Sequence, residues 1–221
     1  MRLDIVFVGI FLFTFQVGHT EDVSSQYGER QVAQVIDDRP QMAGLLPIDD
    51  VIYRWVARKF ESGYEGKRVY WDQTPPEDGH EASNKTAYQG YPALISLSDS
   101  VDISGRDLWC SLVFELENLQ SSSRGVVLEQ QVIRGQLDRK AFSEACVKLE
   151  FSASLRARRF FRRYPIPGAT AENAPYYTSL ISMNDDFESY LAWLTTRAGN
   201  EYDPVAYFAA RYDQLEAYYK K

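Results

Sequence analysis

The chain has 221 residues, 45% hydrophobic and 14% aromatic, enough apolar surface to bury a substantial core in one domain. Its 24 basic and 31 acidic residues leave a formal charge of −7, which opposes non-specific attraction to nucleic acid or anionic lipid and argues against DNA or RNA as partners. Two histidines and two cysteines are too few for the imidazole and thiolate clusters on which most zinc sites rest.

In chain order, residues 1–20 read as a targeting segment. Arg2 supplies an early positive charge, and residues 5–17 form an almost unbroken apolar run that ends at small and polar residues, where cleavage is expected. The run falls short of the roughly 20 residues that a spanning helix needs. A cleaved signal peptide and a secreted or periplasmic mature chain are therefore expected, with an uncleaved anchor as the alternative because Asp4 lies beside Arg2. No later stretch is long and apolar enough to span a bilayer. Residues 21–47 are polar, mixed in charge and without sustained periodicity, which predicts a partly ordered leader before a globular domain over 48–221.

Asp49 or Asp50 caps a helix whose apolar positions Val51, Ile52, Trp55, Val56 and Phe60 recur at three- and four-residue spacing, and Gly63 stops it. Residues 68–72, rich in Val, Tyr and Trp, read as a strand cut by Pro75 and Pro76. A loop follows to about residue 90 and carries Asn84-Lys85-Thr86, a formal glycosylation sequon. Residues 93–98 read as a second strand of a small antiparallel sheet.

Ser104 caps the next helix, with Asp107 placed to complete a capping pair, and Leu108, Leu112, Leu116 and Leu119 trace its buried stripe. Ser121, Ser122 and Ser123 end that helix. Residues 126–134 have no decisive period, and 139–164 form a long helical pattern closed by Pro165 and Pro167. The last quarter is a Tyr-rich helical pair, opened by Asp185 or Asp186 and by Asp203-Pro204. The order predicts an α+β fold, a mainly helical single domain with a minor antiparallel sheet.

One constellation bears on chemistry. Phe114-Glu115-Leu116-Glu117-Asn118 has the spacing of H-E-x-x-H, in which residues four apart on a helix grip one metal and the Glu between them activates its water. A strand precedes this helix, and a later helix offers Glu144 and Glu150. Over roughly residues 90–164 the order resembles the zincin-like metallopeptidases, in which a later helix supplies a third ligand, often Glu. The resemblance implies a zincin-like scaffold, with Glu115 in the catalytic position and Glu144 or Glu150 in that of the third ligand. Both histidine slots depart from the pattern: Phe114 binds no metal, and Asn118 is a weak neutral oxygen ligand. Without residues 1–20 the sole remaining histidine is His80. No metal and no cofactor are expected.

The alternative reading makes the same helix an ordinary amphipathic one, with Glu115, Glu117 and Asn118 towards solvent or capping partners. If Glu115 is buried it needs a partner, and residues 156–163 offer arginines. In helical geometry Arg156, Arg159 and Arg163 share one face while Arg158 and Arg162 lie on another. Arg159 and Arg163 make a candidate docking patch for an acidic partner, against the alternative of plain ion pairing with the surplus carboxylates. Cys110 and Cys146 form a disulfide if their Cα atoms come within about 7 Å, or stand as two buried small hydrophobes. Asp72, Glu77 and Asp78 follow Tyr70 and Trp71, a combination compatible with carboxylate-dependent glycoside cleavage or with surface acids beside core aromatics. The function expected is an exported, non-catalytic protein that binds a protein or cell-envelope component through residues such as Asn118, Glu144, Glu150, Arg159 and Arg163. The alternative is a secreted hydrolase, an atypical metallopeptidase or carboxylate-dependent glycosidase, working through Glu115.

Overall fold

A computed structural model describes residues 21–76, 81–87, 90–197 and 203–219. The expected signal peptide over 1–20, together with Glu77, Asp78 and His80, lies outside the described residues. Among the described residues there are eight α-helices and one three-stranded sheet, a mainly helical α+β fold.

The predicted leader is a helix, α1 (Glu21–Asp38), followed by a 3-10 turn at Pro40–Met42. It packs on α2 (Val51–Ser62), burying Tyr27, Val32 and Val35 against the Ile52, Val56 and Phe60 face. The crossing is so close at Gly28 that a Cβ there would stand 1.9 Å from the Ala57 carbonyl oxygen. α2 begins as predicted: Asp50 Oδ1 accepts from the Ile52 amide at 2.7 Å, and Gly63 closes the C-terminal end.

The polar character that made α1 look like a leader has a structural cause. Strand β1 (Val69–Trp71) is an edge strand, and side chains of α1 satisfy its backbone. The Tyr27 hydroxyl donates to the Val69 carbonyl at 2.7 Å, and the Trp71 amide donates to Gln31 Oε1 at 2.7 Å. Asp38 accepts from the Trp71 indole at 2.7 Å, and buried Arg39 donates to the carbonyls of Leu97 at 2.6 Å and Ser98 at 2.7 Å. Each bond pairs a backbone or indole group that would be costly to bury unpaired.

The sheet has the order β1-β3-β2, where β2 is Ala82–Lys85 and β3 is Ala93–Leu97. β2 pairs antiparallel with β3, but β1 runs parallel to it, in the register Val69 to Ala93 and Trp71 to Ile95. The sheet is therefore mixed rather than purely antiparallel, because the extra strand β2 takes the far side of β3. Sequence reading left β2 in a loop, since Ala-Ser-Asn-Lys has no apolar alternation.

α3 (Gly105–Leu119) is the central helix, with Leu108, Trp109, Leu112, Val113, Leu116 and Leu119 all at 0% exposure. Ser104 Oγ accepts from the Asp107 amide at 3.0 Å, as the capping pattern predicts. The undecided stretch is α4 (Ser122–Ile133), and α5 (Arg139–Arg163) follows, capped by Asp138. The remaining helices are α6 (Pro175–Ser182), α7 (Phe187–Arg197) and α8 (Pro204–Tyr219). The main core surrounds α3, and a smaller cluster of Val132, Phe142, Cys146 and Leu215 joins α4, α5 and α8. The cysteines are both buried and form no disulfide with each other, Cys110 lying in the main core and Cys146 in the smaller cluster. Among the described residues no helix is long and apolar enough to cross a membrane.

Candidate functional site

A row of polar side chains at one-turn spacing runs along α3. Asp107 starts it: the Tyr177 amide at the head of α6 donates to Asp107 Oδ1 at 2.9 Å, so this carboxylate ties two helices rather than serving the cap alone. Burial pushes its pKa above the ordinary carboxylate range, against the lowering pull of the Tyr177 amide and the Ser104 hydroxyl. One turn on, the Ser111 hydroxyl donates to Glu81 Oε2 at 3.3 Å, and one turn further the Asn84 amide donates to Glu115 Oε2 at 2.6 Å. Glu81 and Asn84 come from β2 and the residue before it, so the row stitches the sheet edge to α3.

Glu115 is only 8% exposed, which contradicts its placement towards solvent in the amphipathic reading. Its partner Asn84 is a strand residue with its amide engaged, rather than a glycosylation acceptor in an open loop. The arginine expected for Glu115 goes instead to Glu117, also buried. Arg156 Nε donates to Glu117 Oε2 at 2.7 Å, and the same guanidinium reaches the Glu117 carbonyl at 2.7 Å and Ser121 Oγ at 3.0 Å. Lys59 of α2 adds a contact at 3.7 Å, so Glu117 locks α2, α3 and α5 together. Burial pulls the Lys59 ammonium below its usual pKa, and the Glu117 charge opposes that pull.

Of the two candidates for a third ligand, Glu144 is 45% exposed on its side chain and pairs with Lys140 one turn away at 3.9 Å. It takes no part in the row. Glu150, half-buried, does feel the charge of the row. Burial, then the negative charge of Glu115, pushes its pKa up to about 8. Glu115 and Glu150 are thus an interacting pair in which Glu150 keeps its proton at neutral pH.

Phe114 and Asn118 lie half-buried on the neighbouring face, Phe114 packed against the main core. Zinc does not fit here, because a phenyl ring has no lone pair to donate and the nearby carboxylates are taken by Asn84, Arg156 and Lys59. Among the described residues no group of three or more His, Cys, Asp or Glu is arranged to hold a metal ion. The two arginine faces separate as helical geometry requires. Arg158 and Arg162 both bind Asp185 at the head of α7, and Arg158 is buried while they do so. Arg159 and Arg163 are exposed, with Arg163 lying 5.2 Å over the Tyr164 ring. Asp72 pairs with Lys85 at 3.5 Å, while Glu77 and Asp78 lie outside the described residues. Sequence reasoning missed Glu81, Ser111 and Lys59, which no motif marks, and singled out Asn84 only as a sequon.

No protein-family model, curated protein or solved structure matches this chain.

Proposed function

We propose that this chain is an exported, non-catalytic binding protein on a zincin-like scaffold that has lost its zinc ligands, and that it engages a protein or cell-envelope component. One observation carries the reading: the acids that a hydrolase would aim at substrate are spent inside the fold. Glu117 bridges three helices through Arg156 and Lys59, and Glu115, 8% exposed, is bonded by Asn84. A catalytic acid or base must reach the reacting atoms at about 3 Å, which side chains tied up in this way do poorly. What is left for a partner is the outward face of α5, where Arg159 and Arg163 are exposed.

The reading is tested by metal analysis and partner capture with the purified mature protein. Folding unchanged in chelator, no stoichiometric zinc, and loss of co-purifying partners on Arg159→Glu with Arg163→Glu are expected. Stoichiometric zinc would overturn it, and an unchanged partner set would remove the α5 face from it. The Glu115 and Glu150 pair favours the second reading, a carboxylate-dependent hydrolase, since one acid held protonated beside a second is a pattern of acid–base catalysis. Activity on a peptide or glycan panel that Glu150→Gln abolishes would move the conclusion there.

A further inference from the structure

A cavity of about 530 Å³ opens where the C-terminal ends of α2 and α3 meet, walled by Trp55, Arg58, Lys59, Ser62, Tyr64 and Gln120. That volume lies in the range of small-molecule sites. Helix C-termini carry partial negative charge on their unpaired carbonyls, so cations collect there for structural reasons. This accounts for Lys59, whose ammonium lies 3.7 Å from Glu117 and 4.9 Å from the Trp55 ring. It accounts equally for Arg156, which takes the Glu117 carbonyl. Arg58 is different: it is exposed in the cavity wall, and its guanidinium has no hydrogen bond or ion pair among the described residues. Against the two wall cations stands Glu65, on the turn where the chain has φ of 50°. Glu117 is already neutralised by Arg156 at 2.7 Å.

We propose that this cavity binds an organic oxyanion of about monosaccharide size, such as an acidic sugar, with Arg58 and Lys59 meeting the charge, Gln120 donating to the polar body and the Ser62 hydroxyl oxygen accepting from it. Lys59 is already held between Trp55 and Glu117, so little side-chain freedom is lost when a ligand arrives. Arg58 supplies a planar, always charged fork suited to carboxylate or phosphate. The proposal rests on the binding-protein reading and names a ligand class for it.

The test is calorimetric titration of the mature protein with glucuronate, glucose 6-phosphate and glucose, which hold the ring constant and vary the charged group. Saturable binding of both anions and none of glucose is expected, with anion affinity falling about tenfold in Arg58→Ala, the worth of one charge-assisted contact. Arg58 is exposed, so the melting temperature of that variant should match the wild type, and Lys59→Gln provides a second variant with Glu117 still held by Arg156. Glucose binding as tightly as the anions, neither anion binding, or unchanged affinity in both variants would each overturn the proposal. Arg159 and Arg163 are intact in both variants, so the outcome is read separately from the partner-capture experiment.

Discussion

Replacing Glu150 by Gln tests the buried acid pair most directly. Burial and the Glu115 charge raise the Glu150 pKa from 4.5 to about 8 in the folded chain, while the unfolded chain keeps the ordinary value. Between those two values the native state holds a proton that the unfolded state has released, so this group's contribution to stability is fully present below the lower value. It is lost as pH rises through the upper one. The slope is at most about 1.4 kcal/mol per pH unit for one proton, and Coulomb coupling to Glu115 makes that a ceiling. Glu150→Gln removes the titration and keeps the shape. Its cost at about pH 5 should therefore be about 1 kcal/mol or less, set by the lost hydroxyl, and at that slope it should overtake the wild type in stability by about pH 6 and stay ahead above it. Urea unfolding of both proteins at intervals of about half a pH unit gives the comparison, with a Tm change of about 2–4 °C per kcal/mol as a second readout. Parallel stability curves for the two proteins across that window would show that Glu150 titrates normally and that the pair does not exist.

Two further outcomes follow from the same geometry. Asn84→Ala removes the amide that donates to Glu115 at 2.6 Å and should cost about 1–3 kcal/mol in denaturant unfolding, the range for a buried acceptor that loses its donor; a change within about 0.3 kcal/mol would mean that β2 is not held there. Cys146, buried in the smaller cluster with its thiol pushed up to about 12 by burial and then by Glu150 and Glu129, should resist alkylation at about pH 8 in the native protein and react fully in denaturant, while the intact mass shows two thiols; a mass two hydrogens lighter would contradict the free state.

Much of the architecture was legible in local pattern. The α2 helix, its Asp50 cap and Gly63 stop, the α3 helix with its Ser104 cap, the long α5 and the strands β1 and β3 all follow from periodicity and capping chemistry carried by neighbouring residues. The division of the α5 arginines into two faces followed likewise from helical geometry alone: Arg158 and Arg162 meet Asp185, while Arg156 turns to Glu117.

Other features depend on partners distant in sequence, and no window contains them. α1 reads as polar because Tyr27, Gln31 and Asp38 serve the edge of β1, more than thirty residues away, and only docking reveals that their polarity is used inside the fold. β2 lacks apolar alternation, since it is held by its ladder with β3 and by Asn84 reaching Glu115. Sequence alone determined α2 and α3 with their caps, and α5, because those rest on a residue's own chemistry and on neighbours within one or two turns. Tertiary structure decided which carboxylate is neutralised by arginine, which keeps its proton, and that the two cysteines lie in separate clusters. Those outcomes depend on burial and on charges brought together from distant helices, which spacing along a chain does not encode.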